Sequence, residues 1–234
     1  MILSGPEIEI RVAAGDIVVD PYVAAHVGPN SIDLRLADDI RVYDGPLPMD
    51  WKEAGVGCGE DVFLDAHREN PTRRLEAQDG RIILFPGTLY LGRTVERIGS
   101  TRYVPLVEGR SSTGRLGISV HATAGVCDLG FLGTITLEIT VVHPTAVYVG
   151  DRICQAMFLK VDGEPRLYKG RYQGQVDATP SRFWVGVGPR ALTGKRKNER
   201  GEIEACLPAD CDHSYVRLDK GSAVCAFCKT REKL

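Results

Sequence analysis

Residues Thr134-Ile135-Thr136-Leu137-Glu138-Ile139-Thr140-Val141 alternate without a break between polar and large aliphatic side chains. A repeat of two matches a pleated strand, whose successive side chains point to opposite faces. A helix, at about 3.6 residues per turn, would spread the same aliphatics around its axis. The segment therefore predicts a strand with Ile135, Leu137, Ile139 and Val141 packed inward. Thr134, Thr136, Glu138 and Thr140 fall on the opposite face. Glu138 is thus a lone carboxylate among hydroxyls on a rigid element, and a core built around this strand is a sheet core.

The neighbouring sequence extends the pattern. Ile118-Ser119-Val120-His121-Ala122-Thr123 and Ser31-Ile32-Asp33-Leu34-Arg35-Leu36 alternate again, and Asp16-Ile17-Val18-Val19 is strand-like ahead of Pro21. Between residues 81 and 161, short apolar runs recur between turn signals at Phe85-Pro86-Gly87, Gly109, Gly117, Gly125, Gly130, Gly133 and Gly150. With 26 Gly and 13 Pro in 234 residues, the chain is punctuated for many short strands rather than a helical bundle. The expected class is mainly β, a sandwich or barrel. One helix is expected at the N-terminus, where Ser4 and Glu7 have capping-box spacing and Gly15 supplies a stop. Residues 46–79 are polar and aperiodic and read as a long surface excursion. After Trp184 the sequence turns polar and basic. The expected division is a domain over 1–188, a linker over 189–205 and a tail over 206–234.

Lys and Arg total 29 against 31 Asp and Glu, a formal net charge of -2, which excludes a generally basic nucleic-acid binder. The opening Met1-Ile2-Leu3-Ser4 lacks the charged and apolar regions of a secretory signal, and no apolar run is long enough for a bilayer. A soluble, cytoplasmic protein without membrane contact is expected.

Two polar segments interrupt the strand pattern. Glu108-Gly109-Arg110-Ser111-Ser112-Thr113-Gly114-Arg115-Leu116-Gly117 sets two arginines and two serines between glycines. Guanidinium forks, hydroxyls and accessible backbone N–H groups suit phosphate oxygens, although a solvated turn has the same composition. Arg171-Tyr172-Gln173-Gly174-Gln175, followed by Thr179-Pro180-Ser181-Arg182, could fold over a ligand or simply leave the domain.

Arg110-Ser111-Ser112-x-x-Arg115-Leu116-Gly117, Thr123-Ala124-Gly125-x-x-Asp128-x-Gly130-Phe131-x-Gly133 and Ile135-Thr136-Leu137-Glu138 stand in this order along the chain. Together they resemble the core of the dCTP deaminase family, within the trimeric dUTPase-like superfamily. Met1-Ile2-Leu3-Ser4, Pro29-x-Ser31-Ile32-Asp33-Leu34-Arg35-Leu36, Pro86-Gly87, Gly150-x-x-Ile153-x-Gln155 and Tyr172-Gln173-Gly174-Gln175 follow in the family's order. The likeness covers about residues 1–185.

The resemblance implies a distorted β-barrel or jelly-roll subunit and a homotrimer with active sites between neighbouring subunits. It implies hydrolysis of dCTP to dUTP and ammonia, with no metal at the reacting carbon and Mg2+ accompanying the triphosphate. Glu138 matches the carboxylate that takes a proton from water attacking C4 of cytosine and returns it to the departing ammonia. Ser111 and Arg115 match residues positioning the water and polarising the base, and the backbone at Ala124 matches the reader of the exocyclic amine. Arg110 and Ser112, with Thr113 and Gly114 beside them, match the phosphate side, and Asp128 matches the acid beside the deoxyribose. Thr136, Leu137, Gln155, Tyr168, Arg171, Tyr172 and Gln175 complete the implied substrate contacts. Arg171 stands where the family often has lysine, and Cys127, beside Asp128, reads as buried filler. One branch of the family also hydrolyses dUTP to dUMP and diphosphate. Gly125, where strictly deaminating members can carry histidine, and Tyr172-Gln173-Gly174-Gln175 lean toward that branch.

The tail lies outside this resemblance. Cys211-x-His213 and Cys225-x-x-Cys228 form two close pairs of soft or borderline ligands, the set that a closed, structural Zn2+ site uses, with Cys206 a fifth candidate. So short a tail has too little core of its own, and metal binding would supply its folding energy. His67-x-Glu69 with Cys225-x-x-Cys228 echoes the zinc-dependent deaminases. However, Val224 replaces their proline, and the four tail ligands leave no position for water. A reading of another class makes the domain a non-catalytic trimeric platform whose zinc tail and Lys195-Arg196-Lys197 run engage nucleic acid or protein.

Overall fold

Strands form wherever the sequence alternates. The structure, a computed structural model, describes residues 1–44 and 64–186 and, beyond them, the backbone of strands at 194–197, 203–206, 215–218, 222–225 and 231–233. The chain divides into two units, Met1–Asp44 with Pro71–Pro180 and Gly45–Asn70 with Ser181–Leu234.

The first unit opens with α1 (Gly5–Ala13), which buries Ile8. Gly15, at φ 75°, closes the helix: its N–H donates to Val12 O and the Asp16 N–H donates to Arg11 O, a paired cap that needs a left-handed residue. The N-terminal capping box does not form. Ser4 makes no side-chain cap, and Glu7 instead receives Arg11 Nε at 2.7 Å, because an opposite charge one turn on competes for the carboxylate.

Eleven strands follow: β1 (Ile17–Asp20), β2 (Ile32–Arg35), β3 (Ile40–Tyr43), β4 (Thr72–Leu75), β5 (Arg81–Leu84), β6 (Tyr90–Ser100), β7 (Tyr103–Gly109), β8 (Ile118–Ser119), β9 (Leu132–Val141), β10 (Thr145–Tyr148) and β11 (Arg152–Lys160). A second helix, α2 (Ser111–Arg115), separates β7 from β8. The largest sheet runs β4-β3-β6-β9-β8 with β1 also on β6; β2-β11-β7 forms a second sheet and β10-β5 a third. The expectation of a mainly β protein holds. The inward aliphatics of β9 join Ile17, Leu34, Ile98 and Phe158 in one core, each burial contributing about 1.5–3 kcal/mol.

Three local expectations change. Residues 72–75, assigned to the surface excursion, are the edge strand β4, antiparallel to β3 with Ile40 opposite Leu75. An exposed edge tolerates the charges of Arg73 and Arg74, so pairing there leaves no apolar alternation to read. The Gly/Ser/Arg segment folds as α2 rather than a turn. The alternation at 118–123 stays in strand only through Ser119. Residues 46–63 of the excursion lie outside the described residues.

In the second unit His67 meets Phe183 edge-on, ring centroids 5.9 Å apart. The stretch expected as a linker contains β12 (Gly194–Lys197) paired antiparallel with β13 (Ile203–Cys206). Three more strands, β14 (Tyr215–Leu218), β15 (Ser222–Cys225) and β16 (Arg231–Lys233), form one sheet. Of the expected zinc ligands, Cys211, His213 and Cys228 lie outside the described residues, and of Cys225 only the backbone is described. Among the described residues, no helix is long and apolar enough to cross a membrane.

Candidate active site

β9 lies between β6 and β8, which fixes Glu138 opposite Leu91 and sends its side chain to the hydroxyl face. The Glu138 N–H donates to Val120 O at 3.0 Å. Just past the end of β8, the Ala122 N–H donates to Glu138 Oε2 at 2.9 Å. Oε1 has no hydrogen-bond partner among the described residues. A half-buried carboxylate held by one oxygen can exchange a proton through the other.

The turn carrying that donor is tightly seated. The Gly125 carbonyl accepts the Val107 N–H at 2.7 Å. A Cβ on Gly125 would lie 2.8 Å from Val107 O and 3.1 Å from His121 Nε2, so the chain approaches β7 more closely than any side chain allows. His121 Nε2 in turn sits 3.1 Å from Glu108 Oε2. Ala124 is exposed at the tip of this turn.

A second cluster forms where β2, β7 and β11 meet. Arg110 Nε donates to Asp33 Oδ1 at 2.9 Å, and Arg110 also donates to Arg152 O at 3.0 Å. Arg152 donates to Asp33 Oδ2 at 3.2 Å. Two guanidinium groups around one carboxylate leave a net positive corner suited to phosphate oxygens. Gln155 accepts from Ser31 Oγ at 2.8 Å and donates to Gly109 O at 3.0 Å, tying β2 to the end of β7. The Thr113 hydroxyl accepts the Arg110 N–H at 3.1 Å and closes the first turn of α2. Ser111, Ser112, Gly114 and Arg115 are exposed. The side chains of Ser111, Ser112 and Arg115 make no hydrogen bond or ion pair among the described residues.

The third element is a strap, residues 168–180, laid along β9. Tyr168 N–H donates to Leu129 O at 2.7 Å, Gly174 N–H to Leu132 O at 3.1 Å, and Thr134 N–H to Gln175 O at 3.0 Å. Gln173 brackets the Leu132 N–H and Gly130 O, while Gln175 Nε2 donates to Thr134 O at 2.8 Å. Thr136 Oγ1 accepts the Thr179 N–H at 3.1 Å. The Tyr168 ring meets Phe131 edge-on, and its hydroxyl accepts the Tyr172 N–H at 3.2 Å. Arg171 is exposed, as is Asp128, whose carbonyl accepts the Phe131 N–H.

The structure thus brings Tyr168, Tyr172, Gln175 and Thr136 to the strand of Glu138, and gathers Arg110, Thr113 and Gln155 separately. Arg115 lines an open groove of about 580 Å³ with Leu116, Val142 and His143. Val142 lies four residues beyond Glu138, about 13 Å along the strand direction at roughly 3.3 Å per residue. Within one chain the two halves of the expected catalytic set therefore stand apart. The Leu137 side chain faces away from Glu138. It is 1% exposed, because the alternation that turns Thr136 and Glu138 outward turns Leu137 into the core. Burial, followed by the Asp128 carboxylate, pushes the Cys127 thiol up to about 12, the behaviour of packing rather than of a nucleophile. Asp33, Ser31 and the Ala122 N–H were not singled out as site groups. Asp33 and Ser31 were within reach as the polar face of the 31–36 alternation; the Ala122 donor is backbone and leaves no trace in residue identity.

A strand-borne carboxylate with a fixed backbone donor, an arginine corner and a glutamine-rich strap are the polar clusters that this mainly β unit presents. The chain belongs to the dCTP deaminase-like family, whose model matches residues 2–161. It is 44% identical over 182 residues to "dCTP deaminase, dUMP-forming" of Leptospira biflexa serovar Patoc, across 77% of this chain and 95% of that protein. Proteins of the same name from Cytophaga hutchinsonii and Clostridium beijerinckii are 42% and 40% identical over the same shares. The solved 2'-deoxycytidine 5'-triphosphate deaminase of Agrobacterium tumefaciens overlaps at TM-score 0.47 and 22% identity, over 67% of this chain and 47% of that one, too loosely to carry an argument.

Proposed function

We propose that the protein hydrolyses dCTP to dUMP, ammonia and diphosphate. One observation carries the deamination: the Glu138 carboxylate, held at Oε2 by the Ala122 N–H at 2.9 Å, keeps Oε1 for the reacting water. In this reading water gives a proton to Glu138, and its oxygen bonds to C4 of cytosine. The exocyclic amine takes that proton from Glu138, the C4–N bond breaks, and the remaining hydroxyl proton passes to ring N3, leaving uracil and ammonia. Ser111 and Arg115 orient the water and polarise the base, the backbone at Ala124 meets the exocyclic amine, and Asp128 meets the sugar. Arg110 and Ser112 take the phosphates, and Tyr172 and Gln175 close the strap over the nucleotide.

The product expected first from sequence was dUTP. The names of the relatives favour a second hydrolysis. In that step water attacks the phosphorus nearest the sugar, the bond to the bridging oxygen breaks, and diphosphate leaves. Offering dCTP and dUTP separately tests this: both should yield dUMP and diphosphate, ammonia appearing only from dCTP. Accumulation of dUTP from dCTP would reduce the activity to deamination alone.

The reading extends to a dUTPase-like barrel subunit in a homotrimer that brings Arg115 of one copy to Glu138 of another, supported by their separation within one chain. Among the described residues, no group of three His, Cys, Asp or Glu side chains could hold a metal ion. A magnesium ion would therefore take its oxygen ligands mainly from the triphosphate and water, supplying charge neutralisation there. We assign a structural Zn2+ to Cys211, His213, Cys225 and Cys228 on their sequence spacing. Metal analysis of the purified chain should find one zinc, lost in Cys225→Ser; a full-length protein without zinc would remove the assignment.

A further inference from the structure

The strap is held at its far end by a residue that none of the proposed substrate contacts includes. Asp39, between β2 and β3, is 4% exposed. Its Oδ2 accepts the Ala178 N–H at 2.9 Å, and its Oδ1 accepts Arg41 Nε at 2.9 Å. Ala178 is 0% exposed, so this weld is dry. Buried carboxylates persist only where they are paired and hydrogen-bonded, and a charge-assisted bond in such a place is among the stronger ones a side chain offers a backbone. On the next residue, the Thr179 N–H is taken by Thr136 Oγ1. Two consecutive strap amides are therefore bound by side chains from two different strand regions.

The strap also depends on a close approach at its middle. A Cβ on Gly133 would lie 2.8 Å from Gln175 O and 3.1 Å from Gln175 N. Gly133 lets the strap backbone settle onto β9, and Asp39 stops it from peeling away three residues later. Gln175 is itself the first of these fixed points. Tyr172 sits just upstream, and all of them run beside the strand that carries Glu138.

We propose that Asp39 is a positioning residue for nucleotide binding: by anchoring Ala178 it pre-sets the strap, so that Tyr172 and Gln175 meet the ligand without first being ordered. This rests on the dCTP reading given above. Ordering a segment on binding weakens affinity, so loss of the anchor falls on binding rather than on the chemical step.

Asp39→Ala, Asp39→Asn and Gly133→Ala, compared with the parent protein, provide the test. By amide hydrogen exchange without nucleotide, Asp39→Ala should speed exchange at Ala178 and Thr179 about tenfold or more, with the core strands protected as in the parent. KM for dCTP should rise about tenfold while kcat stays within about twofold. Asp39→Asn keeps an acceptor for the Ala178 N–H and should recover most of the parent KM. Gly133→Ala, which lifts the strap from its middle, should reproduce the KM rise with Asp39 intact. Unchanged strap exchange in Asp39→Ala would overturn the anchor. Faster exchange with an unchanged KM would overturn its link to the nucleotide while leaving the activity standing. A parent protein that releases no ammonia from dCTP would remove the substrate reading and this role with it, the exchange result then describing only the fold.

Discussion

Arg110 and Asp33, 77 residues apart in the chain, meet at 2.9 Å, and Asp33 simultaneously holds Arg152 at 3.2 Å. One carboxylate thus aims two guanidinium groups at the junction of β2, β7 and β11. Removing it takes one anchor from each side chain without removing their charge, so the expected loss is orientation. Asp33→Ala should raise KM for dCTP about tenfold, the lower end for hydrogen bonds to charged groups, because Arg152 is partly solvated. Steady-state kinetics check this; an unchanged KM would separate this corner from the triphosphate.

The separation of Arg115 from Glu138 along β8 and β9 makes a prediction about assembly. Arg115→Ala and Glu138→Gln should each be inactive alone. After mixed refolding, about a quarter of the sites in random trimers would pair an intact Glu138 with an intact Arg115 from a neighbour. Recovered ammonia release on mixing supports a shared site, and no recovery would confine catalysis to one chain.

Stability rests on the core beneath β9 and β11. Phe158 is 0% exposed and contributes a large ring to that core. Phe158→Ala should cost about 3–5 kcal/mol, lowering Tm by about 10 °C or more at this domain size. Thermal unfolding followed by circular dichroism measures it; a shift of only a degree or two would mean the core collapses around the deletion.

How much of this was readable depended on what kind of bond forms each element. β9 was legible because its aliphatics repeat every second residue, and the same alternation placed Glu138 on the open face. β6 was not: Thr94 and Glu96 are buried polar residues, satisfied by Ile135 N–H, Arg35 and each other, and a register shift falls between Arg93 and Arg97. Such a strand carries no clean period. α2 is held by Thr113 between Arg110 and Ile153 O, contacts that Gly114 and two serines do not advertise. The residues of the strap left open whether it folds back or leaves the domain, since much of its hold on the unit is backbone to backbone, with side chains joining at Gln173, Gln175, Thr134, Thr136 and Asp39.

The account turns on Glu138 as the proton carrier, and Glu138→Gln tests it most directly. The amide keeps an oxygen to accept the Ala122 N–H and nearly the same shape, but cannot accept a proton from water. Ammonia release from dCTP should fall by at least about 10³-fold, while nucleotide binding measured by calorimetry and the melting temperature stay close to the parent values. Ammonia release at more than about a tenth of the parent rate, with binding and fold intact, would contradict the account and require another base.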